Sequence, residues 1–269
     1  MIFDSAQVNN FHRDGFTSVP QLFTPKEILA LQKEVNRLTL HGLGRNVRTD
    51  GDGETRSAIQ SNYQVIPLFD KSNLIRALPF ESRIIQLVRQ LIGEPILLHL
   101  DQMFLKPAGQ GTGTDWHQDN AYFKIDDPMK GVAMWVAVHD ASITNGTLHV
   151  IPGSFRKQYN HERDPYSDHH IRCHPPENKA VAVEVPAGGV VFFCYGCAHC
   201  TKDNTSQHER AGMAFHFLNT EYAPPELITS EKNRPILTGP KATGGVAEYG
   251  LLVADSWKAE VDHILEATS

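Results

Sequence analysis

Residues 186–194 read PAGGVVFFC, a turn sequence followed directly by five apolar residues. Proline and glycine punctuate the chain before the apolar run at 190–194, whose length is that of a buried β-strand. The same alternation extends in both directions, with further β-rich runs bounded by turn residues at 96–106, 132–138, 147–151, 181–185 and 211–218. Many short strands with this spacing predict a mainly β fold, either a sandwich or a jelly roll.

The first 95 residues have a helical pattern instead. Residues 24–27, TPKE, combine a capping threonine, a proline suited to the first helical position and the glutamate of a capping box. Apolar residues then recur at helical spacing, and a second helical pattern covers about 81–92 and ends at Gly93. A third pattern lies at 256–267. We expect a single domain over 1–269, in which a helical part of about 1–95 packs on a core of about 96–220, with 221–269 as a C-terminal extension.

The composition excludes several classes of protein. The chain is 41% hydrophobic and 21% charged, with a formal net charge of −6, so it has neither the profile of a disordered chain nor the basic character of a nucleic-acid binder. Its longest apolar runs are too short to span a bilayer, and the N-terminal residues do not resemble a signal peptide. Four cysteines are too few for a disulfide scaffold of this length, and we expect a cytoplasmic location. Fourteen histidines raise the expectation of a metal site.

Two long stretches carry no clear pattern. Residues 42–61 are glycine-rich with three arginines, and residues 156–179 are polar with four histidines. Loops of this length are typical of lids, and a solvated surface loop is an equal alternative for each. Surface histidines are the simpler interpretation of the second stretch, although a further metal site there is an alternative. From their place in the sequence, we expect Tyr122, Phe123 and residues 42–61 to face a substrate.

The candidate chemistry begins at His117-Gln118-Asp119. In an extended segment residues i and i+2 point to the same face, so one imidazole and one carboxylate can converge on a single ion. Downstream, His199 follows an apolar strand and Gly196, and Arg210 begins the next apolar run. Two histidines and one carboxylate form the facial triad of non-haem Fe(II) oxygenases, which leaves three metal positions open. An arginine beside such a site suits the far carboxylate of a chelating 2-oxo acid.

From Phe11 to about Leu218 the chain resembles the phytanoyl-CoA dioxygenase family of Fe(II)- and 2-oxoglutarate-dependent oxygenases. The resemblance is carried by an ordered set of motifs: residues 11–16 (FHRDGF), Lys106-Pro107, His117-Gln118-Asp119, Trp135, residues 144–148 (TNGTL), residues 151–154 (IPGS), His199, Asn204, Ser206 and Arg210. It implies a double-stranded β-helix core (jelly-roll, cupin-like) with flanking helices. It also implies a dioxygenase that uses O2 to hydroxylate an unactivated C–H bond of a small metabolite or natural product, with release of succinate and CO2.

The resemblance also implies a role for each matching residue. His117, Asp119 and His199 match the iron ligands, and Arg210 matches the arginine that binds the 2-oxoglutarate carboxylate. Thr201 lies where a hydroxyl residue assists that arginine. Two further residues fall where the cosubstrate pocket is lined, namely Gln102 and Trp135. Gln102 is equally consistent with a satisfied polar group on a strand, and Trp135 with an ordinary core residue.

A cysteine cluster provides the main alternative. Cys194, Cys197 and Cys200 recur every three residues around His199, and Cys173 is a possible fourth ligand. That pattern would suit a structural zinc or iron site in a non-catalytic jelly-roll protein. Buried cysteines are also common small core residues, and a second CxxC pair is missing. A third alternative is a related jelly roll that binds metal without turnover or catalyses a redox-neutral isomerisation; the retained Arg210 argues against it.

Overall fold

Two antiparallel sheets form the centre of the computed structural model, which describes residues 2–225, 227 and 234–267. In chain order the strands are β1 (Phe16–Val19), β2 (Arg45–Asn46), β3 (Tyr63–Val65), β4 (Ile96–Lys106), β5 (Thr114–His117), β6 (Gly131–Ala137), β7 (Leu148–Val150), β8 (Glu162–Arg163), β9 (Ile171–Arg172), β10 (Val181–Val183), β11 (Val190–Cys194), β12 (His199–Thr201) and β13 (Arg210–Asn219). The larger sheet has the order β1-β11-β6-β13-β4-β3-β2, the smaller sheet β10-β7-β12-β5, and β8 pairs with β9. The expected jelly-roll class with flanking helices is confirmed.

Helices flank the sheets at both ends of the chain. They are α1 (Ser5–Asp14), α2 (Pro25–Leu40), α3 (Asn73–Ala77), α4 (Ser82–Ile92), α5 (Asn120–Phe123), α6 (Val246–Tyr249) and α7 (Trp257–Glu266), with short 3-10 turns at Leu78–Phe80, Pro128–Lys130, Ile143–Asn145, Ser154–Arg156, Glu177–Lys179 and Thr220–Tyr222. The expected capping box of α2 is present, because Thr24 Oγ1 accepts from the Glu27 amide and the Glu27 carboxylate accepts from the Thr24 amide. No helix in these described ranges is long and apolar enough to cross a membrane.

The description of the first 95 residues as mainly helical is incomplete. Strands β1, β2 and β3 lie within them and belong to the larger sheet, where β1 pairs with β11 and β3 pairs with β4. These strands are two to four residues long, so each is too short to show a period-2 pattern in the sequence. The short strand β5 was missed for the same reason.

Alternation along the central strands divides the larger sheet into two faces. On β13, Met213, Phe215 and Phe217 are buried in the main core, whereas Arg210, Ala214 and His216 line a cavity. Successive side chains of a strand point to opposite faces, so this division follows directly from the period of two. Helix α4 contacts β4, β6 and β13 and contributes its own buried apolar residues to the same core. The opposite face of the sheet borders the cavity.

The two long stretches without a sequence pattern pack against each other. We call residues 42–61 and 156–174 the two cover segments. The Thr49 amide donates to the Tyr166 carbonyl (3.1 Å), the Asp168 amide donates to the Val47 carbonyl (3.1 Å), and Arg45 forms an ion pair with Asp168. Thr49 is only 1% exposed. Both segments keep exposed residues, but part of their polar backbone is hydrogen-bonded from one segment to the other rather than to solvent alone.

The C-terminal helix docks through one buried aromatic residue. Trp257 is buried, its Nε1 donates to Glu27 Oε1 (2.6 Å), and its ring packs against Phe23. The same Glu27 carboxylate also accepts from Arg83. Helix α7 is thus attached to α2 by both apolar burial and a charge-assisted hydrogen bond.

We expect Trp257→Ala to lower the free energy of unfolding by about 3–5 kcal/mol, because it removes a buried aromatic side chain and leaves a cavity. Chemical denaturation followed by circular dichroism measures this change. Leu252→Ala, at a position 65% exposed, is the matched control and should shift stability by less than about 0.5 kcal/mol. Equal effects of the two substitutions would contradict this view of α7.

Candidate functional site

Two histidines and one aspartate meet at the end of the smaller sheet. His117 and His199 are directly opposite in the β5–β12 pair, and their ring centroids lie 4.2 Å apart. Asp119 Oδ1 lies 3.7 Å from His117 Nε2 and 3.8 Å from His199 Nε2. Within the described ranges these residues are the only group of three or more His, Cys, Asp or Glu side chains close enough to share a metal ion.

The backbone fixes the tautomer of both histidines. His117 Nδ1 lies 2.8 Å from the Asp115 carbonyl, and His199 Nδ1 lies 2.9 Å from the Cys197 carbonyl. A carbonyl oxygen only accepts, so each Nδ1 carries the proton and each Nε2 presents a lone pair. Both lone pairs are on the ring nitrogens nearest Asp119. The donor set of two imidazole nitrogens and one carboxylate oxygen therefore fits a divalent transition metal.

Asp119 reaches this space by a different route from the one expected from the sequence. The strand β5 ends at His117, and Asp119 has helical dihedrals (φ −56°, ψ −34°) at the start of α5. The prediction that residues 117 and 119 share one face of an extended segment is wrong, because the chain turns into a helix between them. His199 likewise opens its own strand, β12, in the smaller sheet.

Burial sets the protonation state of the three side chains. Burial lowers the pKa of His117 and lowers that of His199 to about 4, so both rings are neutral near pH 7. Burial alone would raise the pKa of Asp119, but the neighbouring His199 and His216 rings hold it below its ordinary value. A neutral imidazole pair beside an ionised carboxylate is the protonation state in which these groups bind a metal.

Arg210 lies in the same cavity as the triad and has no counter-ion. It is the first residue of β13, is 1% exposed, and no carboxylate in the described part of the chain lies within ion-pair distance. Its guanidinium donates to the Gly146 carbonyl and stacks over Trp135. Burial lowers the pKa of Arg210 to about 10, which still leaves it charged at pH 7. A buried cation without an anionic partner is a suitable site for an anionic ligand.

Gly146 permits this arrangement. Its φ is +75°, and a Cβ at this position would lie 2.0 Å from the Lys202 carbonyl oxygen. Only glycine fits both the left-handed backbone and this close approach. The Asn-Gly pair in the sequence is therefore the turn whose carbonyl orients Arg210.

The other expected residues line the same cavity of about 190 Å³. Thr201 Oγ1 accepts from the Thr114 amide (3.1 Å), and Trp135 is 6% exposed beneath Arg210. Gln102 Oε1 accepts from Gln64 Nε2 (2.9 Å). All seven residues singled out in the sequence thus border one cavity: Gln102, His117, Asp119, Trp135, His199, Thr201 and Arg210.

Several cavity residues were not identified from the sequence. His216, Gln64, His169 and His170 all contribute to the wall, as do the suspected Tyr122 and Phe123. The only sequence signal for His216 is that it lies an even number of residues after Arg210 in an apolar strand, which puts both side chains on the same face. Gln64 and the two loop histidines reach the cavity through the cover segments or the short strand β3, neither of which has a readable pattern.

The cysteine alternative is not favoured. The four cysteines are free and buried, and burial raises the pKa of Cys173, Cys197 and Cys200 to about 12, so these thiols stay protonated. Among the described residues they join no group of three potential metal ligands. His199, which the cysteine site would require, faces Asp119 and His117 instead. The thiols are core residues.

Comparison with known proteins gives a consistent set of relatives. The profile of the family Phytanoyl-CoA dioxygenase (PhyH) matches residues 11–212. An ectoine dioxygenase of Nocardia farcinica is 26% identical over 258 residues, which cover 87% of this chain and 84% of the relative. A second, from Halomonas elongata, is 26% identical over 254 residues, which cover 86% of this chain and 74% of the relative.

Solved structures share the fold. The structure of EctD from S. alaskensis with 2-oxoglutarate and 5-hydroxyectoine matches with a TM-score of 0.68 at 20% identity, over 94% of this chain and 86% of that one. The non-haem alpha ketoglutarate dependent carbocyclase SnoK from nogalamycin biosynthesis matches with a TM-score of 0.67 at 20% identity, over 81% of this chain and 84% of that one.

We expect His117→Ala and His199→Ala each to weaken Co(II) binding by more than about 100-fold, because loss of a direct ligand should exceed the 10–100-fold effect of losing a supporting residue. Anaerobic titration followed by visible absorption measures the affinity. His174→Ala, at a side chain 73% exposed, is the control and should bind Co(II) as the unmodified protein does. Unchanged binding in either ligand variant would contradict the assignment.

Proposed function

Because the chain belongs to the phytanoyl-CoA dioxygenase family, we propose that it hydroxylates an unactivated C–H bond of a small metabolite or natural product, with release of succinate and CO2. The protein is an Fe(II)- and 2-oxoglutarate-dependent dioxygenase. It acts on a small molecule. The reaction type, the substrate class and the role of each cavity residue are inferred from the chemistry of the site.

The iron ligands in this proposal are His117, Asp119 and His199. The observation that carries it is the convergence of two Nε2 lone pairs and one carboxylate oxygen in a buried space. Three protein ligands leave three positions for a chelating 2-oxo acid and O2. Iron with 2-oxoglutarate supplies the activation of O2 for C–H oxidation, and the side chains of the protein bind, orient and exclude water.

Arg210 holds the far carboxylate of 2-oxoglutarate in this proposal. The Gly146 carbonyl and the Trp135 ring fix the guanidinium within the cavity, and burial strengthens its attraction for an anion. Thr201 places a hydroxyl on β12 of the smaller sheet, in the same cavity, where it can add a hydrogen bond. Trp135 forms the floor of this part of the cavity.

The rest of the cavity wall supports a small, largely apolar substrate with a hydrogen-bond acceptor. The guanidinium of Arg45 donates to Gln64 Oε1 (3.4 Å), and Gln64 Nε2 in turn donates to Gln102 Oε1. This chain leaves the Gln102 amide as a donor toward the cavity. The apolar part of the remaining wall is formed by Ile66, Leu100, Phe104, Phe123, Leu148, Phe193 and Ala214.

The relatives support this substrate class and leave the outcome of the reaction open to test. The named relatives include ectoine dioxygenases and a carbocyclase, each acting on a small molecule or belonging to the biosynthesis of one. Hydroxylation is the outcome that we propose here, since the sequence relatives reported above are dioxygenases. The free, buried thiols suit a reducing compartment, and we infer a cytoplasmic location.

Anaerobic loading with Fe(II) and 2-oxoglutarate, followed by O2 and a screen of small metabolites, tests the proposed function. A substrate should stimulate succinate release and gain one oxygen atom, which mass spectrometry with 18O2 detects. An identified substrate that is desaturated, cyclised or isomerised without gain of oxygen would contradict hydroxylation. Absence of any 2-oxoglutarate consumption by the iron-loaded protein would contradict the proposal as a whole.

We expect Arg210→Ala to raise the KM for 2-oxoglutarate by at least about 30-fold, because removal of one partner of a buried charge pair costs about 2 kcal/mol or more. Arg210→Lys should recover part of that loss, since it keeps the charge but not the planar fork. Steady-state succinate release at varied 2-oxoglutarate gives both values. Arg89→Ala, on the exposed face of α4, is the control. An unchanged KM in Arg210→Ala would exclude this role.

A further inference from the structure

We propose that His216 is a positioning residue that determines which oxygen of Asp119 faces the metal. The inference rests on the proposed function, since it concerns the same centre. His216 lies on β13 outside the sequence motifs of the triad and is 3% exposed. We do not assign His216 as a metal ligand. It acts through the neighbouring Asp119 carboxylate.

The two oxygens of Asp119 have different surroundings. Oδ1 is the atom nearest both histidine Nε2 atoms, at 3.7 and 3.8 Å. Oδ2 lies 3.4 Å from His216 Nε2 on another side of the carboxylate. Among the described residues, Oδ2 has no hydrogen-bond partner and neither does His216 Nδ1. At 3.4 Å, His216 Nε2 is therefore within reach of an oxygen that has no other partner among these residues.

Alternation along β13 places His216 there, beside a bulge in the neighbouring strand β4. In the β13–β4 pair His216 is opposite Leu100, but the next residue, Phe217, is opposite Leu98, so His99 is an extra residue on β4. Bulges of this kind redirect side chains beside functional sites. His216 keeps the cavity-facing parity of Arg210 and Ala214, and Phe123 packs edge-on against its ring.

A donor on Oδ2 has a defined consequence for the metal. With Oδ2 engaged by the Nε2–H of His216, Asp119 offers only Oδ1, and the carboxylate binds through one oxygen. A carboxylate that used both oxygens would occupy one of the three positions required by a chelating 2-oxo acid and O2. Outer partners of this type also orient the ligand before the metal arrives, and their loss lowers metal affinity.

Three variants separate the donor from the packing. His216→Leu removes the donor and keeps an apolar side chain, whereas His216→Gln keeps an N–H that reaches the same side of Asp119. His99→Leu is the matched control, because His99 is 5% exposed and packs on the same Phe123 ring from the neighbouring strand. Its ring is hydrogen-bonded to the Tyr195 hydroxyl and not to Asp119. Thermal unfolding of each apo protein verifies that it is folded.

Two readouts are measured without turnover: Co(II) affinity by anaerobic titration, and the visible charge-transfer band of the Fe(II)–2-oxoglutarate chelate. We expect His216→Leu to weaken Co(II) binding about 10–100-fold and to diminish or shift the chelate band. His216→Gln and His99→Leu should resemble the unmodified protein in both.

Unmodified Co(II) binding and an unmodified chelate band in His216→Leu would overturn the proposal. So would an equal loss in His99→Leu, or a failure of His216→Gln to recover binding, because either result would show that packing rather than the donor matters. If the unmodified protein itself gave no chelate band, the proposed function would fail first, and the role of His216 with it. That result is distinct, since it appears before any variant is compared.

Discussion

The site depends on two hydrogen bonds from imidazole Nδ1 to backbone carbonyls. Each of the two histidines bonds the carbonyl two residues before it, so each Nε2 lone pair is directed away from the backbone and toward Asp119. The strand pairing of β5 with β12 then brings the two rings to 4.2 Å between centroids, at an interplanar angle of 54°. Without these constraints the rings could rotate or change tautomer, and the three donors would not share one small space.

The remainder of the fold protects that arrangement. Alternation along β4 and β13 directs one set of apolar side chains into the core and places Gln102, Arg210 and His216 on the cavity side, so the core and the site use the same strands. The cover segments are tied to the ligand segment as well as to each other. Gln118, between the two ligands His117 and Asp119, donates to the Lys157 carbonyl and accepts from the Tyr159 amide. The cavity is therefore bounded by a fixed wall, which favours exclusion of water during the reaction.

The sequence predicted the parts of this structure whose signals are local. The capping box at residues 24–27 and the apolar run 190–194 each identify their element, and the order of motifs identified the seven cavity residues. The turn that positions Asp119 could not be predicted, because the three residues 117–119 are compatible with an extended segment as well as with the start of a helix. His216 is a lone histidine in an apolar strand, and no local pattern identifies it as a neighbour of Asp119, which lies almost a hundred residues earlier in the chain. The cover segments are held by contacts between residues more than a hundred positions apart, which no local pattern encodes.

An anaerobic crystal structure with Fe(II) and 2-oxoglutarate tests the central claim most directly. We expect one iron, located by its anomalous scattering, bound to Nε2 of His117, Nε2 of His199 and Oδ1 of Asp119. We also expect Arg210 to bind the far carboxylate of 2-oxoglutarate. Iron bound elsewhere, for example by the thiols of Cys194 and Cys197, or a triad whose three donors do not share one ion, would contradict it.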